Sequence, residues 1–233
     1  MSSVVPAIAV VIPFLDEAAA LPATLAALER ARRGDDAPRT EVVAVDAGSR
    51  DASRDVFARY GVRVVDAPRG RASQMNAGAA ATLAPTILFL HADTLLPEDG
   101  LRAIAAAARA PGFVYGGFHH RFDGHDWRLA AISWLHNLRC AMVRTYYGDQ
   151  AIFVAREAFE RAGGFPPTRV EDIDLSQKLR AVGSPAFVPQ VVVTSARKFV
   201  ALGVWRSFAL VLAILVCHTF GWRLPPSFFA DVR

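Results

Sequence analysis

Four sets of carboxylates stand where apolar runs end or helical patterns begin: Asp16–Glu17, Asp46 in Val-Ala-Val-Asp-Ala-Gly-Ser, Asp93 in Phe-Leu-His-Ala-Asp-Thr, and Glu171–Asp172 with Asp174. Taken singly, each has a plain structural reading, either a helix start that favours acids or a turn that closes a strand. Gathered at the same ends of neighbouring strands, they would repel one another unless a cation or a hydrogen-bonded ligand joined them. A divalent metal carrying a diphosphate would satisfy that arrangement. Fixed positive charge that could hold a leaving diphosphate or an acceptor phosphate occurs at Arg197 and Lys198, of which arginine is the better bidentate partner.

Such residues converge only if strands deliver them to one edge. Apolar runs at 7–15, 41–47, 62–66 and 86–92 are rich in Val and Ile without polar alternation, which predicts strands buried on both faces. Between them, 17–32, 52–60, 71–84 and 97–110 show helical spacing or Ala-rich composition, and Pro97 suits a first helical turn. Alternation of this kind predicts an α/β fold, a mostly parallel sheet flanked by helices, with the ligand crevice at the carboxyl ends of the strands. Farther on, the pattern predicts a strand over 113–122, a helix over 126–142, a strand over 150–154 and a helix over 155–162. After the break at Gly163-Gly164-Phe165-Pro166-Pro167 come a helix over 171–181, a strand over 186–195 and a basic apolar C-terminal helix. No linker divides the chain, so a single domain over 1–233 is expected, in segments 1–110, 111–196 and 197–233.

Composition narrows the class. A length of 233 residues suits one domain, and 53% apolar with 21% charged residues excludes disorder. Cys140 and Cys217 are the two cysteines, without a CxxC pair, which excludes a disulfide scaffold and points to a reducing cytosol. The first apolar run has no basic residue before it and closes on Asp16–Glu17, so it reads as a strand rather than a secretory signal.

The net charge of +4 divides unevenly: residues 176–233 hold seven Lys or Arg against Asp231, leaving the rest mildly acidic. That asymmetry points to a membrane surface or phosphate rather than nucleic acid, although Arg-rich composition alone, with Lys at only two of 26 basic positions, would also produce it. The apolar stretch at 208–217 sits between Arg206 and Arg223. As a helix those sixteen residues reach roughly 24 Å against a hydrocarbon core of about 30 Å, too short to span. Residues 199–222 are therefore expected to be covered by the domain, by a second subunit or by the outer layer of a bilayer, which would put the protein in the cytoplasm or peripherally at the inner face of the membrane. After the first strand, Pro13-Phe14-Leu15-Asp16-Glu17 replaces the glycine-rich turn of dinucleotide and phosphate-binding loops, which disfavours both.

In their order and spacing these motifs resemble the family-2 glycosyltransferases of the GT-A fold, over nearly the whole chain. The strings that carry the resemblance are Pro13-Phe14-Leu15-Asp16-Glu17, Asp46-Ala47-Gly48-Ser49, Arg69-Gly70-Arg71 leading to Asn76 and Gly78, His91-Ala92-Asp93, Gly163-Gly164-Phe165 and Glu171–Asp172. The resemblance implies that a nucleotide-diphosphate sugar binds in the first segment, where Pro13, Phe14, Glu17 and Asp46 hold the nucleotide and Arg71, Asn76 and His91 lie towards the diphosphate. It further implies Mg²⁺ or Mn²⁺ on Asp93, and Asp172 with Glu171 as the catalytic pair, Asp172 being the general base of an inverting displacement. Asp149 and Gln150 fall where an acceptor or the donor sugar is touched, the acceptor being small or lipid-linked.

Two positions depart from the family pattern. Ala47 replaces a second Asp, and His91 replaces the first Asp of Asp-x-Asp. Histidine can ligate Mn²⁺, but hard cations prefer oxygen, which makes His91 a pocket wall or phosphate neighbour before a metal ligand. The short strings His-Ala-Asp-Thr and Ser-Ala-Arg-Lys-Phe also resemble a compact subgroup associated with arsenosugar biosynthesis.

Two rivals share the architecture. A sugar-phosphate nucleotidyltransferase would carry a Gly-rich, Lys-containing loop where Pro13–Glu17 stands. A non-catalytic membrane-surface adaptor on a degenerate transferase fold is favoured by Ala47 and His91 and opposed by Asp93 and Asp172. His119, His120 and His125 lack zinc-site spacing, and neighbours in a strand face opposite sides, so an acceptor-side wall suits them better than a metal.

Overall fold

All seven residues of β1 (Ile8–Phe14) are buried. An apolar run without alternation requires cover on both faces, and β1 has it. Ile8, Val10, Ile12 and Phe14 join one core layer, with Leu21, Leu25 and Leu28 of α1 (Leu21–Ala31). Val11 joins the other, with Met75 and Ala79 of α3 (Arg71–Ala80). The period of two along the strand thus feeds two layers from one segment.

The computed structural model describes residues 5–222, so Arg223, Asp231 and Arg233 of the basic tail lie outside the described residues. β1 pairs in parallel with β2 (Thr40–Asp46) on one side and with β4 (Thr86–Phe89) on the other, and β2 pairs in parallel with β3 (Arg63–Asp66). The direction of winding reverses between β1 and β4. That is where an open α/β sheet opens a crevice at its carboxyl edge. Connections run through α1, α2 (Ser53–Arg59) and α3. The helical pattern expected over 71–84 forms α3 from Arg71 to Ala80, and Gly78 explains part of its sequence: a Cβ there would lie 2.3 Å from Val11 Cγ1 and 2.9 Å from Val45 Cγ2. Glycine lets α3 rest directly on β1 and β2.

The second half departs further from a simple parallel sheet. The strand order is β3-β2-β1-β4-β7-β6-β8-β5. Here β5 is Thr94–Leu95, β6 is Tyr115–Phe122, β7 is Phe153–Ala155 and β8 is Pro185–Thr194. β7 runs antiparallel to both β4 and β6, and β5 antiparallel to β8, while β6 and β8 are parallel. The sheet is therefore parallel through its first four strands and mixed beyond them. Pro97 does not open a helix, because α4 (Gly100–Ala108) starts three residues later, after a turn closed by Gly100 N–H on the Pro97 carbonyl.

Around this sheet lie α5 (Trp127–Val143), a 3-10 turn at Gly148–Gln150, α6 (Arg156–Arg161) and α7 (Glu171–Val182). The tail is two helices, α8 (Arg197–Leu202) and α9 (Val204–Thr219), broken at Gly203, whose φ of 89° favours glycine. Among the described residues, no helix is long and apolar enough to cross a membrane.

Candidate active site

The carboxyl ends of β1 and β2 are knitted together first. Asp46 closes β2 and is 1% exposed. Its Oδ1 accepts from Gly48 N–H, Ser49 N–H and Ser49 Oγ–H at 3.1, 2.8 and 2.7 Å, and its Oδ2 accepts from Arg54 Nε at 2.5 Å. Burial alone would raise its pKa, but the hydrogen bonds from Ser49 and Arg54 outweigh that and hold the carboxyl below its ordinary value. Asp16 adopts a left-handed backbone, φ 55°, and its Oδ1 accepts from Arg50 N–H at 2.7 Å while its own N–H reaches Ser49 Oγ at 3.1 Å. Gln74 donates from Nε2 to the carbonyls of Phe14 and Val45, both at 2.9 Å, clamping the two strand ends.

Several residues therefore do different work from what their motifs suggest. Pro13 and Phe14 are buried, Phe14 with its ring 4.7 Å from that of Phe57, so their side chains line the core rather than the cleft. Asn76 uses both ends of its amide on the Phe165 backbone, 2.9 Å each way, and so pins the Gly163–Pro167 break to α3. Gln150 is likewise occupied, donating to the Phe118 carbonyl at 3.2 Å and accepting from Tyr147 N–H at 3.1 Å.

A second group forms beyond β4. Arg197, at the start of α8, pairs with Glu17, and its Nη2 lies 3.8 Å from Asp93 Oδ2. Lys198 Nζ lies 3.6 Å from Glu17 Oε1. Residues 180 positions apart in sequence thus meet at one edge. Burial raises the Asp93 pKa above its ordinary value despite the opposing pull of Lys198 and Arg71, and burial lowers that of Lys198 despite Asp93. Arg71, opening α3, acts on Asp93, His91, Asp172 and Lys198 alike.

The third group is built around Gly148. A Cβ on this residue would stand 2.5 Å from both Asp172 Oδ2 and His91 Nε2, so the two side chains face each other across the space that the missing methyl leaves. Asp172 sits in the first turn of α7, and Gly148 N–H donates to it. Its Oδ1 is enclosed and has no hydrogen-bond partner among the described residues. Burial, reinforced by Glu171 and opposed by Arg71, pushes its carboxyl up to about 7. Burial and the positive field of Arg71 lower His91 to about 3, keeping the imidazole neutral.

Beside this pair lies a cluster whose full membership the sequence did not reveal. Asp149 has His120 Nε2 and His136 Nε2 each 3.6 Å from its carboxylate. The two imidazole rings are 5.1 Å apart, and His136 lies 5.0 Å from the ring of Tyr147, over which Arg139 is stacked at 3.7 Å. Burial depresses His136 to about 4, so it is neutral like His91. For Asp149, burial is outweighed by the surrounding imidazoles and Arg139, a fixed positive charge, leaving the carboxyl below its ordinary value. His120 is 1% exposed whereas His119 faces solvent, the opposite-face arrangement expected of strand neighbours. His136 could have been noticed as the one imidazole of α5; its meeting with Asp149 is a long-range fact of packing.

Polar groups from the segments after β1 and β4, the 3-10 turn, α3, α5, α7 and α8 thus collect at one end of the sheet. A cavity of about 290 Å³ lined by Val5, Pro6, Glu41 and Leu83 is at the opposite, amino edge. Among the described residues, no three His, Cys, Asp or Glu side chains are grouped to hold a metal by themselves. Asp93 nevertheless fits the usual form of a Mg²⁺-type site, in which one or two carboxylates anchor an ion whose other ligands are water and substrate phosphates.

Comparison with known proteins agrees with the fold. Residues 9–171 match the family model Glycosyl transferase family 2. A PGL/p-HBAD biosynthesis glycosyltransferase of Mycobacterium bovis is 32% identical over 239 residues, covering 98% of this chain and 88% of that protein. A mannosyltransferase from Pyrobaculum calidifontis, solved with GDP-Man and Mn²⁺, superposes with a TM-score of 0.66 at 20% identity, covering 99% of this chain and 68% of the other. Glucosyl-3-phosphoglycerate synthase from Mycobacterium tuberculosis, solved with Mn²⁺, UDP and glucosyl-3-phosphoglycerate, gives 0.59 at 17% identity, covering 80% and 70%. With an α/β sheet, a switch-point crevice and a family match across well over half its length, the chain belongs to glycosyl transferase family 2.

Proposed function

We propose that this protein moves a hexose from a nucleotide-diphosphate sugar to an acceptor hydroxyl, small or lipid-linked, in one in-line displacement that inverts the anomeric centre. Asp172 is the general base. The observation that carries this reading is the state of that carboxyl: enclosed, with Oδ1 unpartnered, raised to about 7, and facing His91 across Gly148. A base poised near neutrality takes a proton at working pH, and such help is worth roughly 10²–10⁴-fold. The bond from the acceptor oxygen to the anomeric carbon forms as the bond to the diphosphate oxygen breaks. The hydroxyl proton goes to Asp172 and the electron pair leaves with the nucleoside diphosphate.

Arg71, Arg197 and Lys198 supply fixed positive charge for that departing anion, in a partly enclosed setting where such charge counts for more than in water. Asp93 is the side chain that would hold Mg²⁺ or Mn²⁺, which when bound neutralises charge on the diphosphate. The Mn²⁺ and nucleotide-sugar ligands of the structural neighbours support this choice of donor and ion. His91, neutral and half-buried, walls the space that Asp172 faces across Gly148.

Two substitutions test the assignment. Asp93→Ala abolishes metal-dependent donor binding, read as loss of the thermal shift that donor and Mn²⁺ give together. Asp172→Asn keeps that shift and loses transfer by 10²-fold or more. Transfer at wild-type rates in both variants would overturn the reading.

A further inference from the structure

All four tryptophans of this chain, Trp127, Trp134, Trp205 and Trp222, are at least half exposed, at 70, 63, 50 and 64%. That is unusual for the residue with most apolar surface to hide. Three of them lie on α5 and α9, which share one pattern. On α5, beside the exposed Leu135 and Val143, runs the exposed series Trp127, Trp134, Leu138 and Met142; on and just past α9, before Trp222, runs the exposed series Trp205, Leu212, Val216 and Phe220. Both series step by seven, four and four, the spacing of a single stripe along a helix. The stripes meet at their first members, where the rings of Trp127 and Trp205 lie 6.1 Å apart.

We infer that the outer faces of α5 and α9 together dock on an anionic lipid bilayer. Charge selects this occupant over a second copy of the chain. Neither helix, nor α8 before α9, contains a carboxylate; Arg128 is held by the capping Asp126 and Arg197 and Lys198 turn to Glu17, which leaves the exposed Arg206 of α9 and the exposed Arg144 that closes α5 as the cations beside the stripes. Two such faces would repel one another, whereas an anionic leaflet attracts them. Tryptophan with arginine around an apolar stripe is the composition of a helix that lies in the interface, and no described helix is long enough to go through it. The inner sides of the same helices reach the cleft. His136 of α5 faces Asp149, and His218 of α9 pairs with Asp174 of α7 at 2.8 Å, two residues from Asp172. Docking would therefore bring the mouth of the site to the headgroups.

The test is co-sedimentation of the full chain with vesicles, without donor or acceptor, so that it stands apart from the transfer reading; nucleotide release from a donor without lipid checks that reading separately. Vesicles of equal parts phosphatidylcholine and phosphatidylglycerol should bind the protein at least tenfold more tightly than phosphatidylcholine alone, with a blue shift of tryptophan emission. Binding should weaken in about 1 M salt, where screening is nearly complete. Trp134→Ser with Leu212→Ser should lower partitioning tenfold or more with the melting temperature unchanged, and Arg144→Glu should reduce the preference for phosphatidylglycerol. Absence of vesicle binding, partitioning untouched by these substitutions, or a solution dimer that the double variant splits while vesicles go unbound would each overturn the inference.

Discussion

Gly148 matters because of what it leaves out. Without a side chain there, Asp172 and His91 share a buried space, and the carboxyl of Asp172 is stranded at about 7 between burial and Glu171 on one side and Arg71 on the other. The general base proposed for transfer must be ionised to work, so on that proposal kcat/KM should rise with pH through about 7 and fall tenfold per unit below it, a slope that a pH–rate profile of transfer reads directly. Stability runs the other way. Because the folded state binds this proton more tightly than the unfolded chain, Asp172 contributes a destabilisation that grows as pH rises from the ordinary carboxylate range to about 7 and is complete above it. Asp172→Asn should accordingly melt higher than wild type above pH 7 while the two converge in acid. A variant that melts lower at pH 8 would contradict this account of the site.

At the level of elements, β1, β2 and β4 are legible in sequence because parallel strands covered on both faces must be apolar throughout, and Ile8–Phe14 obeys that without exception. The carboxylates at their ends follow from the same reading. Less of the second half is legible. Thr94–Leu95 is too short to show a period, and nothing local in Phe153–Ala155 tells it to run antiparallel to both neighbours, since strand direction is decided by partners far away in the chain. Motif residues mislead in another way: Asn76 and Phe14 are recognisable by position, but a string does not say whether a side chain faces ligand or core.

Gly78 is the opposite case, where a letter in a motif has a measurable packing reason. Gly78→Ala puts a methyl 2.3 Å from Val11 Cγ1, and overpacking of that kind costs about 1–3 kcal/mol, against which the better helix propensity of alanine returns at most about 1. The variant should melt lower, by roughly 2–4 °C per kcal/mol lost at this size. Equal or greater stability would mean that α3 does not rest on the strands this closely.

For the molecule as a whole, the site is a meeting of distant segments, and anything that binds there must hold them together. A nucleotide-diphosphate sugar at a hundred times its dissociation constant adds about 2.7 kcal/mol, hence a shift of roughly 5–11 °C. A panel of uridine and guanosine diphosphate sugars, each with and without Mn²⁺, should show that shift for one base and not the other. A flat response across the panel would speak against a nucleotide-sugar donor. The choice of sugar and base resides in side chains grafted onto a shared fold, which is why the fold could be recognised from the strings and the donor could not.

The pairing of Arg197 with Glu17 also sets a schedule. A chain leaves the ribosome from its first residue, so Glu17 after β1 and Asp93 after β4 emerge long before the two cations that face them. Until α8 has been made and has folded back across the sheet edge, Glu17 and Asp93 stand without Arg197 and Lys198, and a half-made copy lacks the assembled cluster. A helix made late in synthesis completes a cluster that the early strands began.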